Sequence, residues 1–203
     1  MKYPEDFINK IICGDCLEVM KDIPDESIDT IITDPPYLKK YIYLYEELAI
    51  VAKRILKPGG SLVAITPHYA ISEIIPKVSE HLKWRWIHCI WQAQGAHPRM
   101  AMGIEVMWKP ICWWVKGAWP RGRGFVRDGI ENIVAPKKTQ HKWEQSELWA
   151  EFCLKIAPKG GLVLDPFVGS GTTIAVAKKL GYNFIGIDNS EEYCEIARKR
   201  LAE

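Results

Sequence analysis

The chain has 203 residues and a net charge of +2, and 48% of its residues are hydrophobic. This size and composition suit one α/β domain with a large core. The charge is too small to indicate a nucleic-acid-binding protein, so any phosphate-binding surface must come from local clusters of Lys and Arg. The richest apolar segment, residues 106–115, is interrupted by Lys109 and Pro110, which excludes a membrane-spanning helix there and predicts no membrane partner.

Six cysteines lie mostly among apolar neighbours, and no signal peptide precedes them. This pattern predicts reduced thiols in a cytoplasmic protein. Cys13 and Cys16 have the spacing of a metal-ligand pair or a redox motif, but no second pair of Cys or His completes a zinc site. We therefore predict no metal site.

The first part of the chain alternates between predicted strands and predicted helices. Apolar runs predict strands at residues 8–13, 28–33 and 61–66, and helical spacing predicts helices at 15–20, 41–56 and 70–81. Asp15 lies at the capping position of the first helix, and residues 57–60 (Lys-Pro-Gly-Gly) predict the end of the second. This alternation predicts a parallel, doubly wound sheet.

The middle of the chain has a different pattern. Residues 84–91 and 104–115 follow one another without a helix-length connection, which predicts an antiparallel pair at the edge of the sheet. Residues 92–103 are predicted to form a loop near the active-site end, either for substrate contact or as a simple connection. Residues 117–140 combine glycines with five cations, Arg121, Arg123, Arg127, Lys137 and Lys138. We predict a basic segment that contacts phosphate, although solvated loops are often basic without binding anything.

The last part of the chain returns to alternation. Helices are predicted at residues 141–156, 172–180 and 191–201, and strands at 161–164 and 183–187. The last helix should bring the two chain ends near one another. The whole chain, 1–203, is therefore predicted to be a single domain, with a basic insertion at about 94–140.

Two motifs carry chemistry. Asp34-Pro35-Pro36-Tyr37 follows a predicted buried strand, which is where open α/β sheets place their active sites. A carboxylate, a rigid diproline and an aromatic ring there suit a planar, amino-bearing base. Residues 165–173 form a glycine-containing turn before a helix, and Asp188 follows the next strand, where an acid can accept both hydroxyls of a ribose.

The two motifs together resemble those of the amino-group DNA methyltransferases. Residues 34–37 are similar to the catalytic motif of that family, and residues 165–173 to its S-adenosylmethionine motif. The catalytic motif comes first, as in the circularly permuted, β-type members. The resemblance implies a Rossmann-like, mostly parallel sheet with an antiparallel edge strand. It also implies methyl transfer from S-adenosylmethionine to the exocyclic amine of a flipped base in DNA.

The resemblance also assigns residues. The implied catalytic residues are Asp34, Pro35, Pro36 and Tyr37. The implied cofactor-binding residues are Asp15, Cys16, Asp165, Pro166, Phe167, Gly169, Ser170, Gly171, Thr172, Asp188 and Asn189. Residues 141–146 match the family segment that helps to hold the methionine end of the cofactor, without a clear match for individual contacts. Residues 94–140 become a target-recognition insertion.

Several alternatives stay open. Aspartate at the head of the catalytic motif resembles adenine enzymes more often, so adenine N6 is the predicted acceptor, with cytosine N4 and RNA amino groups as alternatives. Asp15 either binds the adenine amino group of the cofactor or only caps a helix. A nicotinamide-dependent oxidoreductase would share the glycine turn, and a non-catalytic nucleic-acid-binding module would share the tryptophans and the basic segment. A monomer or homodimer in a restriction-modification system fits the resemblance.

Overall fold

The computed structural model describes residues 1–91, 97–99, 103–122, 124–131 and 147–202. In the first half of the chain, strands and helices alternate as β1 Lys10–Cys13, α1 Cys16–Val19, β2 Ile28–Thr33, α2 Tyr43–Ile55, β3 Leu56–Ile65, α3 Ile71–Ser79 and β4 Lys83–Trp91. Four further strands follow, β5 His97–Arg99, β6 Ile104–Val106, β7 Trp108–Val115 and β8 Gly129–Ile130. The last described part comprises α4 Glu147–Leu154, β9 Leu162–Asp165, α5 Thr172–Lys179, β10 Asn183–Asp188 and α6 Glu191–Ala202.

Eight strands form the main sheet, in the order β1-β10-β9-β2-β3-β7-β4-β8. The pairs from β1 to β3 are all parallel. β7 runs antiparallel to both β3 and β4, and the short β8 pairs with β4 in parallel. The predicted doubly wound, mostly parallel sheet is therefore confirmed, with the antiparallel strand two places inside the edge.

Helices cover both faces of this sheet. On one face, α2 and α3 bury residues such as Leu48 and Ile74 against the sheet. On the other, α4, α5 and α6 bury residues such as Phe152, Ile174 and Ala197. Central strands such as β2 and β9 are buried on both faces because each face packs against helices.

The predicted helix stop at residues 57–60 lies inside β3. Leu56 pairs with Ile28 and Ser61 pairs with Thr30, so the residues between them bulge out of the ladder. Gly59 has a φ of 77°, and a Cβ there would lie 2.7 Å from the ring of Pro120. The strand thus begins directly after α2, and only its regular part matches the predicted 61–66.

The predicted strand at 104–115 is divided in two. β7 pairs with β3 and β4, whereas β6 leaves the main sheet and pairs with β5 in a separate two-stranded sheet. Part of the predicted loop at 92–103 is therefore a strand. The rest of that loop, residues 92–96 and 100–102, lies outside the described residues.

The last helix packs beside the first strand. The Sγ atom of Cys194 lies 3.8 Å from the carbonyl oxygen of Ile12, and the Arg198 guanidinium donates to the carbonyl of Ile11 at 3.2 Å. These contacts place α6 beside β1, and the proximity of the two chain ends stays a prediction. All six cysteines are free. No helix in the described part of the chain is both long enough and apolar enough to cross a membrane.

Candidate active site

The loop after β2 is held by its own tyrosines. The Tyr37 hydroxyl donates a hydrogen bond to Oδ1 of Asp34, and the Tyr69 hydroxyl donates to the carbonyl oxygen of Tyr37. Desolvation and the negative charge of Asp34 raise the pKa of Tyr37, so its hydroxyl stays protonated as a donor. The residue remains 37% exposed, and Pro35 is buried. The Asp34 carboxylate is therefore oriented before any substrate binds.

Asp165 ties this loop to the glycine motif. It ends β9 with 2% of its surface exposed, and its Oδ1 atom accepts the Thr33 hydroxyl at 2.8 Å and the Phe167 N–H at 3.2 Å. Burial raises the pKa of the Asp165 carboxyl to about 7, with a smaller increase from the charge of Asp34, while its hydrogen bonds oppose the rise. One buried carboxyl thus joins the end of the catalytic strand to the start of the glycine turn.

The glycine turn depends on backbone geometry that few other residues adopt. Gly169 has a φ of 49°, and its N–H donates to Oδ2 of Asp188 at 2.9 Å. Gly171 has a φ of 84°, and a Cβ there would lie 3.0 Å from the Cβ of Ala197. A side chain at either glycine would strain the turn, and at Gly171 it would also push α6 away. Asp188 therefore holds the turn in place, in addition to any contact with a ligand.

Asp15 lies beside Asp188 at the ends of adjacent strands. The Gly14 N–H donates to the carbonyl oxygen of Asp188 at 2.9 Å. Oδ1 of Asp15 accepts the N–H groups of Leu17 and Glu18 at 2.8 and 3.3 Å, so the predicted capping role is confirmed. The side chain is also exposed, and cofactor binding by it stays a prediction.

Two further predicted cofactor residues lie at this end of the sheet. Cys16 is 8% exposed, and burial, with the charge of Asp15, raises the pKa of its thiol to about 12. A neutral thiol is poorly suited to metal binding or redox chemistry. Asn189 follows β10 and is exposed.

A pocket of about 170 Å³ opens between the two motifs. Six of the predicted site residues line it, namely Asp34, Asp165, Phe167, Gly169, Ser170 and Thr172. Four lining residues were not assigned individually. Val168 and Thr173 belong to the predicted motif 165–173, whereas Trp149 and Tyr193 lie outside it. Trp149 and Tyr193 lie in the first turns of α4 and α6, so an aromatic residue within a predicted helix was the available signal.

The other predicted site residues surround this pocket. Asp15, Cys16, Asp188 and Asn189 lie at the neighbouring ends of β1 and β10, while Pro35, Pro36, Tyr37, Pro166 and Gly171 belong to the two loops. Acids at two strand ends, a glycine turn and a pocket beside them fit the ribose and methionine parts of S-adenosylmethionine. In addition, the indole nitrogen of Trp149 is buried and has no hydrogen-bond partner within the described ranges, as expected of a group that meets a ligand.

The predicted basic residues do not all lie near the pocket. Arg121 follows Pro120, which lies against Gly59 near the amino end of β3. Asp34 follows the carboxyl end of β2, so Arg121 lies at the opposite ends of the strands. Arg127 lies next to β8, where its carbonyl oxygen contacts Nδ1 of His88 at 3.1 Å, close to the carboxyl end of β4. Arg123, Lys137, Lys138 and the segment 141–146 lie outside the described residues.

Comparisons with known proteins agree with this geometry. Residues 131–199 match the DNA methylase family of N6 and N4 methyltransferases. The Type II methyltransferase M.HinfI of Haemophilus influenzae is 29% identical over 98% of this chain and 69% of its own length. The Type II methyltransferase M.BamHI of Bacillus amyloliquefaciens is 28% identical over 96% of this chain but only 57% of its own length.

A solved structure extends the similarity to three dimensions. The M1.HpyAVI–SAM complex superposes with a TM-score of 0.78 at 28% identity, covering 96% of this chain and 99% of that one. These matches favour a methyltransferase over a nicotinamide-dependent oxidoreductase or a binding module without activity. Over nearly its whole length the chain is similar to Type II methyltransferases, and residues 131–199 match the DNA methylase family.

Proposed function

We propose that this protein methylates the exocyclic amino group of a base in DNA, with adenine N6 as the preferred acceptor. The observation that carries the proposal is the shared pocket, in which Asp34 from the end of β2 meets the glycine turn that follows β9. An acceptor amine and a methyl donor are thereby held side by side. The resemblance of residues 34–37 to the family's catalytic motif supports the role of each residue.

Asp34 and Pro35 supply the acceptors that the reaction needs. The lone pair of an aromatic amine is delocalised into the ring, so the amine is a poor nucleophile. If the Asp34 carboxylate and the Pro35 carbonyl accept its two hydrogens, the nitrogen is held with its lone pair turned towards the methyl group. S-adenosylmethionine, when bound, supplies that methyl group on a sulfonium. Asp34 is then placed to take the proton that the methylated nitrogen releases.

Tyr37 contributes in two ways. Its hydroxyl fixes the orientation of the Asp34 carboxylate, and its partly exposed ring offers a stacking face for a base that has left the helix. Asp188 and Asp15 are proposed to bind the ribose and adenine parts of the cofactor, with Asn189 beside them. Phe167 and Ser170 are proposed to line its methionine end.

Adenine is favoured over cytosine because aspartate heads the catalytic motif. Cytosine N4 and amino groups of RNA are the alternatives, and the test separates them. DNA and RNA are incubated with protein and S-adenosylmethionine, digested to nucleosides and examined by mass spectrometry. N6-methyldeoxyadenosine is expected, and it should be absent with Asp34→Asn, which keeps the size of the side chain. N4-methyldeoxycytidine or a methylated ribonucleoside alone would overturn the assignment of the acceptor.

DNA is the proposed partner, bound partly by cations of the segment 117–140. Arg127 is the best placed of the described ones, because its backbone lies level with the catalytic loop, about 19 Å across four strand spacings. The Type II names of the relatives support a role in restriction-modification, and DNA as substrate supports a cytoplasmic location. We keep both a monomer and a homodimer as proposed states.

A further inference from the structure

Trp149 differs from the other buried tryptophans in the described part of the chain. Its side chain is 3% exposed and lines the active-site pocket, yet its Nε1 atom has no hydrogen-bond partner among the described residues. By contrast, Nε1 of Trp113 donates to the Ser61 hydroxyl at 3.0 Å, and Nε1 of Trp114 donates to the Ser79 hydroxyl at 3.2 Å. A buried N–H without a partner is costly, so native proteins rarely keep one unless something binds it.

The chemistry of indole restricts what can bind. Its N–H donates and cannot accept, so the ligand must present an acceptor. Thr172 and Thr173 line the same pocket as Trp149, and they are the first residues of α5, whose N-cap is Gly171 without a side-chain cap. The first N–H groups of a helix carry partial positive charge.

A guanidinium group lies at the same place. Arg200 donates to the Thr172 hydroxyl at 2.9 Å, and the Glu147 carboxylate, 3.7 Å away, offsets part of its positive charge. This wall of the pocket therefore favours an anion, whereas the wall that carries Asp34 and Asp165 favours a cation or a donor. An amino-acid group carries both an anion, its carboxylate, and a cation, its ammonium group.

We propose that the Trp149 Nε1–H donates to the carboxylate of the methionine part of S-adenosylmethionine. The inference rests on the proposed function, because it names a contact to that cofactor. The carboxylate lies against α4 and the start of α5, and the ammonium group lies towards Asp165. Trp149 is thus a cofactor-positioning residue, since it orients the methionine end relative to Asp34.

The test compares ligands with and without the proposed partner group. Affinities of wild type and Trp149→Phe are measured by calorimetry for S-adenosylhomocysteine and for methylthioadenosine, which lacks the amino-acid part. Phenylalanine keeps a ring but has no N–H. We expect the variant to bind S-adenosylhomocysteine about tenfold more weakly or worse, and methylthioadenosine as the wild type does. Decarboxylated S-adenosylmethionine should also show no difference between the two proteins.

Trp113→Phe is the matched control, because it removes an indole N–H that already has a protein partner. It should leave the ratio of the two affinities unchanged. Should Trp149→Phe fail to fold, wild-type protein labelled with ¹⁵N in its tryptophans gives a second measurement. The Trp149 indole N–H resonance should move downfield with S-adenosylhomocysteine and much less with methylthioadenosine.

The outcomes are distinct. If wild type binds S-adenosylhomocysteine and Trp149→Phe loses affinity for both ligands equally, or for neither, the assignment of Trp149 is wrong and the proposed function stands. An indole resonance that shifts equally with both ligands would also show that the assignment of Trp149 is wrong, while the proposed function would stand. If wild type binds neither S-adenosylmethionine nor S-adenosylhomocysteine, the proposed function fails, and this inference fails with it.

Discussion

The buried carboxyl of Asp165 makes a quantitative prediction about stability. Burial raises its pKa from the ordinary 3.8 to about 7 in the folded protein. A raised pKa means that the folded state holds the proton more tightly than the unfolded chain does. The stabilising contribution of Asp165 is then complete below about pH 4 and is lost as the pH rises through about 7. Asp165→Asn removes this titration and keeps an oxygen for Thr33 and the Phe167 N–H.

The expected size follows from the interval between the two pKa values. At 1.36 kcal/mol per pH unit, the interval from 3.8 to about 7 corresponds to about 4 kcal/mol. The free energy of unfolding is measured by urea denaturation of both proteins from pH 4 to pH 8, and the difference between them is plotted. As the pH rises from 4, the free energy of unfolding of wild type should fall by up to about 4 kcal/mol relative to that of Asp165→Asn, with most of the fall below pH 7. A flat difference, or one that changes in favour of wild type, would refute the reasoning.

Three further predictions concern function. Asp34→Ala should abolish methyl transfer while calorimetry finds cofactor affinity within a few-fold of wild type, because Asp34 faces the acceptor amine; an equal loss of both would contradict its role. Asp188→Ala should weaken cofactor binding by about 1–3 kcal/mol, with activity recovering at high cofactor concentration, and an unchanged dissociation constant would place the ribose elsewhere. Arg127→Ala should weaken DNA binding at every sequence and reduce the slope of log affinity against log salt concentration by up to about 0.9. Arg121→Ala, at the opposite ends of the strands, should change neither quantity. DNA-binding titrations at several salt concentrations test this, and equal effects of the two substitutions would contradict it.

The sequence predicts the fold well where local pattern and tertiary position agree. Residues 28–33 are an apolar run bounded by turn residues, and β2 has the predicted bounds. The bulge before Ser61 was missed because Pro58 and the two glycines are a strong local signal for a turn, whereas pairing of Leu56 with Ile28 depends on a distant strand. The departure of β6 from the main sheet depends in the same way on its pairing with β5.

Prediction of the site residues also depends on whether a residue's position follows from local pattern or from tertiary packing. The motifs locate Asp34, Asp165 and Gly169, because a loop directly after a strand has a fixed place at the edge of the sheet. Trp149 and Tyr193 reach the pocket from helices, and their position depends on how α4 and α6 pack. An aromatic residue in an apolar helix is predicted equally well as core, so sequence alone does not separate the two roles.

Thr33, directly before the catalytic motif, and Asp165, at the start of the glycine motif, lie 132 residues apart in the sequence, yet a hydrogen bond joins them. This follows from the sheet, in which β2 and β9 are neighbours with Ile31 opposite Leu164. From β2 the chain crosses to α2 on one face of the sheet, and from β9 it crosses to α5 on the other. The loops therefore diverge, and the crevice between them is where open α/β sheets bind ligands. Because the crevice depends on which strands are neighbours, the chemistry tolerates a chain in which the catalytic motif precedes the cofactor motif.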